Sequence, residues 1–478
     1  MTSRRLFLVS LAAASGMLLF LSNYPLHLWP VQAVALVPLW VGLLRLARST
    51  LDAVLAGLVT AIVNLLPLSV MLEFPLLMAA GLLLYLALLW TLLVVGVHQV
   101  IRAPAPLGAL GAGAVAVLVE WADFNLAPVW GTAQSFARVW SAGPQAIQIV
   151  SAGGMLALVF VLVALQVLVA SLLVVPTHRR RSALSLLLLL GAVGLHACLV
   201  WPRNVAGHLR VAAMGWTDDH MPRDAMARLD RVFLPLARKA MDAGARIIVS
   251  PEVGLWLDPL EREAVMARLS TLARQHRVML AVGYFNRQRN DNRIAFVDEQ
   301  GDLVGEYVKT HLIPFVEHYQ AGSGVRITLA GPRIAKAERM GSDRVRLGGM
   351  ICQDDNFTDV ARGYGRDGAQ IVVVPTNDWR QVRHYHFENS IFRGVENRYG
   401  VIRAASNGIS AIIAPSGQVL ARSDHFKDGP GVIVADMPVV PAGTPYSRAG
   451  DVIVVVCLIG LIGGVVLFRM RRRRARNT

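Results

Sequence analysis

The first 201 residues are a nearly unbroken series of apolar segments, and no water-soluble fold accommodates such a series. A helix needs roughly 20 consecutive apolar residues to cross the hydrocarbon core of a bilayer. Runs of about that length occupy 6–22, 31–47, 51–72, 76–97, 107–121, 149–175 and 183–201, with an eighth, DVIVVVCLIGLIGGVVLF, at 451–468. The run at 107–121 is short and rich in Gly and Ala, whereas 149–175 exceeds a bilayer's need and can tilt. The N-terminal TSRRLFLVSLAAASGMLLFLS has the basic start and apolar stretch of a signal peptide. Further apolar runs follow it at once, so it reads as a retained first span. Overall the chain is 54% hydrophobic, which a soluble protein rarely reaches.

Charge orients these spans. Arg4 and Arg5, Arg45 and Arg48, Arg102, Arg179–Arg181 and the terminal RMRRRRARNT all fall on one side of an eight-span arrangement. The opposite short loops, NYPLHLWP and LEFP, carry no Lys or Arg, and 122–144 carries only Arg138. Basic residues stay cytoplasmic, so both termini are expected inside and the long polar segment outside. The expected organisation is a membrane domain over 1–205 with seven spans, an extracytoplasmic domain over 206–445, and a last span with a cytoplasmic arginine tail over 446–478. The net charge of +15 is thus largely topological. With no interleaved aromatics and no nucleic-acid motif, a nucleic-acid partner is not expected.

Within 206–445, short β-rich runs alternate with amphipathic helical stretches. Strands are expected at LRVAAMG, ARIIVS, VMLAVGYF, RIAFVD, LVGEYVK, VRLGGMIC, AQIVVVP, YGVIRAAS, ISAIIAP and QVLARS. Helices are expected at 222–243, 259–276, 357–367 and 384–399. This alternation predicts an α/β core. Three of the strand-like runs end in a reactive polar residue: RIIVSPE at Glu252, GEYVK at Lys309 and LGGMIC at Cys352. Sites in open α/β sheets gather at the carboxyl ends of strands. A carboxylate, an ammonium and a thiol meeting there suit acyl transfer. The thiol attacks as a thiolate, Glu252 takes its proton, and Lys309 stabilises thiolate and oxyanion, leaving a thioester on Cys352.

Each residue also has an ordinary explanation. A thiol after an apolar strand is often just buried, Glu252 can favour a helix dipole, and Lys309 can be a solvated strand end. Glu317 can pair with a surface arginine. Cys198 and Cys457 lie in apolar runs as packing residues, and Cys352 has no disulfide partner within its own domain. No metal-ligand spacing occurs, so neither a metal nor another cofactor is expected.

IIVSPE, EYVKTHLIPFVEHY and GGMIC resemble the three catalytic segments of the nitrilase superfamily, and VVVPTNDW with RGVENRYGVIRAASNGISAIIAPSGQVL resembles its later strands. NYPLHLWPVQAVALVPLW and VEWADFNL…PVWG resemble the first hairpin and the intramembrane Glu-Trp segment of the apolipoprotein N-acyltransferases, a membrane-embedded family of that superfamily. The resemblance implies an α-β-β-α sandwich mounted on a multi-span α-helical membrane bundle. It implies Glu252 as general base, Lys309 as oxyanion stabiliser, Cys352 as nucleophile, and Glu317 as the further carboxylate that holds Lys309. The implied reaction moves an acyl chain from a phospholipid to the α-amine of a diacylglyceryl-cysteine lipoprotein, at the outer face of a bacterial inner membrane. The sequence departs from the family pattern in Gln353-Asp354 after the nucleophile, where Tyr-Glu is usual. It departs again in Met214-Gly215-Trp216, where Gln-Gly-Asn is usual, and in SPEVGLW. Asp354 keeps a supporting carboxylate. These departures bear on donor and acceptor more than on thioester chemistry.

A soluble enzyme would have to extract a whole lipid into water, at about 0.8 kcal/mol per CH₂ exposed. A tethered one avoids most of that cost. Trp216, Trp256, Trp379 and Tyr385 are candidates to line a lipid entry, with core packing or an interfacial belt as the ordinary alternative. Glu120, at the end of a Gly/Ala-rich run, is either intramembrane or interfacial. A membrane-anchored carbon–nitrogen hydrolase would use the same three residues, and a scaffold without catalysis would need none of them.

Overall fold

The computed structural model describes residues 3–23, 26–71, 76–126, 130–202, 204–217, 222, 224–324, 326–334 and 342–477. The chain divides into two compact units, Met1–Pro128 with Ser135–Leu199 and Asp451–Thr478, and Val129–Gln134 with Val200–Gly450.

The first unit is helical. Five helices are long and apolar enough to cross a membrane: Ser3–Ser22, Ala79–Val100, Leu107–Leu126, Val150–Val174 and Pro176–Val200. Shorter apolar helices, among the described residues, are Trp29–Arg45, Thr50–Leu65 and Val452–Leu467. The run at 31–47 is therefore not one uninterrupted span. It is a 3-10 turn, Trp29–Ala33, then a helix of nine residues, Val37–Arg45, and each piece starts with a proline in its first turn. Pro30 and Pro38 suit a helix start, where no N–H is needed, and would break a helix interior. The long run at 149–175 bends at Gly153 and Gly154, and Gly154 adopts φ +70°, open to glycine without penalty. In Arg179–Val200 only Ser182 is buried, and Leu187, Leu188, Leu195 and Leu199 are 61–74% exposed. An apolar surface of this kind is unfavourable in water and ordinary in lipid. Asp52, fully buried, meets Arg4 and Arg5 at 2.9 Å each. Glu120 accepts from the Phe136 N–H at 3.4 Å. The LEFP loop, the Tyr24-Pro25 step of the first hairpin and Pro128-Val129 lie outside the described residues.

The second unit holds thirteen described strands: β1 (Gly207–Gly215), β2 (Ile247–Val249), β3 (Leu255–Leu257), β4 (Met279–Asn286), β5 (Asp291–Val297), β6 (Leu303–Val308), β7 (Leu329–Arg333), β8 (Arg344–Gly349), β9 (Ile371–Asn377), β10 (Gly400–Ser406), β11 (Ile409–Ile413), β12 (Val419–Asp424) and β13 (Gly431–Val439). One sheet runs β13-β1-β2-β4-β5-β6 with β3 also on β4, and the other runs β12-β11-β10-β9-β8-β7. The centres are parallel (β1-β2-β4 and β8-β9-β10) and the flanks antiparallel. The sheets face each other, β1 against β10 and β11, and β2 and β4 against β9. Central strands such as β4 and β10 are buried at every position, as continuous apolar runs demand. Helix Leu234–Asp242 covers β1 and β13, Pro259–His276 covers β3, β4 and β5, and Arg383–Asn397 covers β10 and β11. The unit is an α-β-β-α sandwich.

Helix Pro259–His276 lies where the sequence pattern predicts it, started by an Asp258–Glu261 capping box. The helix expected over 222–243 runs from Ala225 to Asp242 through a π turn at Leu229–Phe233. Pro235, which lacks an N–H and crowds the preceding turn, accounts for that widening. Strands β3, β7 and β13 are additions to the expected set. β3 has only three residues, and β13 carries Pro438, tolerated because β13 is an edge strand.

Candidate active site

Strands from both sheets deliver the reactive residues to one place. Glu252 lies just beyond β2, Lys309 directly follows β6, and Cys352 lies just beyond β8. Lys309 Nζ donates to Glu252 Oε1 at 2.8 Å and to Glu317 Oε1 at 2.7 Å, and its side chain is fully buried. Asn292, on β5, donates from Nδ2 to the same Glu252 oxygen at 2.7 Å. The other Glu252 oxygen accepts the Asn377 N–H at 2.8 Å, and the Asn377 carbonyl lies 3.7 Å from Cys352 Sγ. One residue at the end of β9 therefore touches both the carboxylate and the thiol.

The electrostatics follow from this packing. Burial alone would lower the Lys309 ammonium, but Glu252 holds it well above its ordinary value. Burial, then Glu252, push the Cys352 thiol far up, with Lys309 pulling the other way. Both effects favour the neutral thiol, so Cys352 would need a base before it could act as a nucleophile. Cys352 adopts φ +45°, a left-handed conformation that a residue other than glycine takes only when its surroundings impose it.

The turn that follows is buried throughout, and Asp354 is its anchor. Its Oδ1 accepts from the N–H groups of His311 at 2.7 Å and Thr310 at 3.2 Å, and its Oδ2 from Tyr307 Oη at 2.8 Å and the Ile351 N–H at 3.0 Å. Asp354 thus ties the Cys352 turn to the strand end that carries Lys309. Burial raises its carboxyl from 3.8 to about 6 against the pull of those donors.

Sequence reasoning missed Asn292, Asn377, Asp378, His386 and Arg403. Asp378 closes the apolar run VVVPTND, the same form that flagged Glu252, Lys309 and Cys352, so the signal was present. Arg403, a charge inside the apolar GVIRAAS, was also visible as an anomaly. His386 offered no signal.

Cys352, Asp378 and His386 place one donor atom each within 4.8 Å of one another, the spacing of a metal site. They suit a cation poorly. His386 Nδ1 is 2.7 Å from Asp378 Oδ1, its Nε2 is 2.9 Å from the Cys352 carbonyl, and the other Asp378 oxygen accepts from Arg403 at 2.8 Å. Both imidazole nitrogens are occupied, and the guanidinium already supplies the positive charge.

The four aromatic candidates separate. Trp216 is buried in the sandwich core. Trp256 and Trp379 are exposed, and Tyr385 is half-buried. From Trp256 an aromatic row leads inward, to Phe285 at 4.6 Å and on to Tyr319 at 5.5 Å, whose hydroxyl lies 3.2 Å from Asn292 Nδ2.

The sequence model of the carbon-nitrogen hydrolase family matches residues 210–443. An apolipoprotein N-acyltransferase of Geobacter metallireducens is 26% identical over 250 residues, 48% of this chain and 47% of that one. Another, of Thermotoga maritima, is 27% identical over 350 residues, 69% of this chain and 65% of that one. The chain carries a carbon-nitrogen hydrolase domain over residues 210–443 and is similar to apolipoprotein N-acyltransferases. Its match spans about half the length of the Geobacter relative, 47%. Among solved structures, an amidase from Nesterenkonia sp. is similar, with 24% identity and a TM-score of 0.40 over 49% of this chain and 93% of that one.

Proposed function

We propose that this protein is a membrane-bound N-acyltransferase that moves an acyl chain from a phospholipid, through a thioester on Cys352, to the α-amine of a diacylglyceryl-cysteine lipoprotein. The observation that carries the reading is the Asn377 bridge, which sets a carboxylate and a thiol on two sides of one residue with Lys309 on that carboxylate. Glu252 takes the thiol proton as sulfur attacks the ester carbonyl. Lys309 stabilises the oxyanion. The tetrahedral intermediate collapses, the C–O bond breaks, and Glu252 returns the proton to the departing lysophospholipid oxygen. In the second half the amine attacks the thioester, Glu252 takes an amine proton, and the thiol is restored. One site serves two lipid substrates in turn, so kinetics are ping-pong. Glu317 positions Lys309.

The names of the curated relatives and the helices long enough to span a membrane support a lipid donor and a lipoprotein acceptor. The arginine distribution supports a domain facing outward from a bacterial inner membrane, with both termini cytoplasmic. Trp256 and Trp379 are the exposed aromatics we assign to lipid entry. The second reading, a membrane-anchored amide hydrolase, uses the same chemistry with water as acceptor.

Intact-protein mass spectrometry separates them. Incubation with phospholipid, then with a diacylglyceryl-cysteine peptide, is expected to give an acyl-sized gain that requires Cys352 and then moves to the peptide amine. A gain that decays in water without reaching the peptide supports the hydrolase. No gain in folded protein overturns phospholipid as donor.

A further inference from the structure

Behind Cys352 lies a buried chain of charged groups that the proposed mechanism does not use. His386 projects from helix Arg383–Asn397, Asp378 follows β9, Arg403 sits on β10, and Asp355 lies in the turn after Cys352. All four are at most 6% exposed. His386 Nε2 contacts the Cys352 carbonyl and Nδ1 contacts Asp378. Arg403 donates from Nη2 to Asp378 and from Nη1, at 3.5 Å, to Asp355, which also accepts from Ser390 Oγ.

Two features give this chain a task. Both atoms facing the imidazole are acceptors, a carboxylate oxygen and a carbonyl oxygen. The ring meets the Asp378 carboxylate through Nδ1 and the Cys352 carbonyl through Nε2. The carbonyl it holds belongs to the one residue of the site in a left-handed conformation. Left-handed backbone is unfavourable for a residue that carries a Cβ, so something must hold it there.

We infer that His386, clamped by Asp378 and Arg403, is a positioning residue that fixes the Cys352 peptide in its strained conformation and keeps the thiol aimed at the incoming carbonyl. The inference rests on Cys352 being the nucleophile, not on the identity of donor or acceptor. The His386 N–H pins the Cys352 carbonyl, so the peptide cannot relax to an ordinary conformation that would swing Sγ aside.

The test uses the full chain in detergent or nanodiscs and a probe that needs no lipid. Iodoacetamide alkylation is timed at Cys352 by peptide mass spectrometry, with thermal unfolding of each variant alongside. His386→Phe keeps ring size and removes both donors. It is expected to slow alkylation at Cys352 about tenfold, the equivalent of one unmade buried hydrogen bond. His386→Gln, whose amide can still donate to the Cys352 carbonyl, is expected to restore most of that loss. Where acyl transfer is measurable, His386→Phe lowers kcat and leaves KM in place. Wild-type alkylation in folded His386→Phe overturns the inference, as does a His386→Gln rate no better than His386→Phe. An unreactive Cys352 in the unaltered protein overturns it too. Should His386→Phe not fold, Asp378→Asn keeps the ring and removes its anionic partner: slowed alkylation supports the clamp, and a wild-type rate refutes it. Because alkylation involves no lipid, a failed acyltransferase assay with normal alkylation behaviour overturns only the functional proposal.

Discussion

Replacing Asp354 by Asn should remove a pH dependence of stability that one buried carboxyl creates. Burial raises this group from 3.8 to about 6. The folded state therefore holds its proton more tightly than the unfolded chain does. The stability this provides is complete below about pH 4 and is lost as the pH rises through about 6. Moving a carboxyl over that interval is worth about 3 kcal/mol, at 1.36 kcal/mol per pH unit. The amide of the variant cannot titrate. The difference in unfolding free energy between the parent and Asp354→Asn should therefore change by roughly 2.4 kcal/mol between pH 4 and 7, with the parent losing stability relative to the variant as pH rises. Subtracting the curves cancels the titrating groups that do not interact with Asp354. The assay is denaturant unfolding of the full chain in detergent at half-unit pH intervals, followed by tryptophan fluorescence. Parallel curves would refute the reasoning: the donors from Tyr307, Thr310, His311 and Ile351 would then stabilise the carboxylate as fully as burial penalises it.

Glu317→Gln should weaken catalysis through Lys309. Glu317 gives one oxygen to Lys309 and the other, at 2.8 Å, to the Ile313 N–H, and an amide can accept at only one of them. Losing one charged hydrogen bond, about 1.5–3 kcal/mol, should slow acyl transfer roughly tenfold to a hundredfold, and unchanged initial rates would count against the role. Cys352→Ser should keep the fold but abolish the acyl adduct in intact mass spectra; an adduct that persists would move the nucleophile elsewhere. Gly131→Ala should destabilise the second unit by at least about 1–2 kcal/mol in thermal unfolding, because Gly131 adopts φ +52° and a Cβ there would collide with the Asn356 carbonyl. An unchanged midpoint would mean the 131–134 segment does not bear on the turn. Trp256→Ala should raise KM for phospholipid while sparing Cys352 alkylation, and an unchanged KM would leave the aromatic row without a lipid role.

What the sequence made legible is explained by where the signal resides. Glu252, Lys309 and Cys352 each interrupt an apolar strand-like run with a reactive polar group, and a side-chain pattern of that kind survives without coordinates. Asn377 meets Glu252 and Cys352 through main-chain atoms, which every residue has, so no pattern could name it. His386 was hidden for another reason. Its helix looks amphipathic, with a polar face suited to water, yet Glu388, Asn389, Ser390, Arg393, Glu396 and Asn397 are all buried. Their polarity is spent on neighbours: Ser390 on Asp355, Asn389 on Asn356 at 2.6 Å, and Arg393 on Glu396 at 3.1 Å.

That buried polar face gives the turn at Cys352 its rigidity. Cys352, Gln353, Asp354, Asp355 and Asn356 are each at most 4% exposed, although all but the first are residues that favour water. Three of them are tied to different elements. Asp354 goes to the end of β6, Asp355 to Ser390 and Arg403, and Asn356 to Asn389 and, through its carbonyl at 3.0 Å, to Thr132. An apolar turn would bury equally well, but dispersion contacts are nondirectional and would let the backbone relax from φ +45°. Hydrogen bonds fix orientation, and an unmade one in the interior costs about 1–3 kcal/mol, so the polar set holds a strained conformation that hydrophobic packing alone would not. The two residues that depart from the family pattern, Gln353 and Asp354, belong to this set. Asp354 reaches the Lys309 strand end with a short carboxylate, and so it constrains how closely that strand end must approach Cys352.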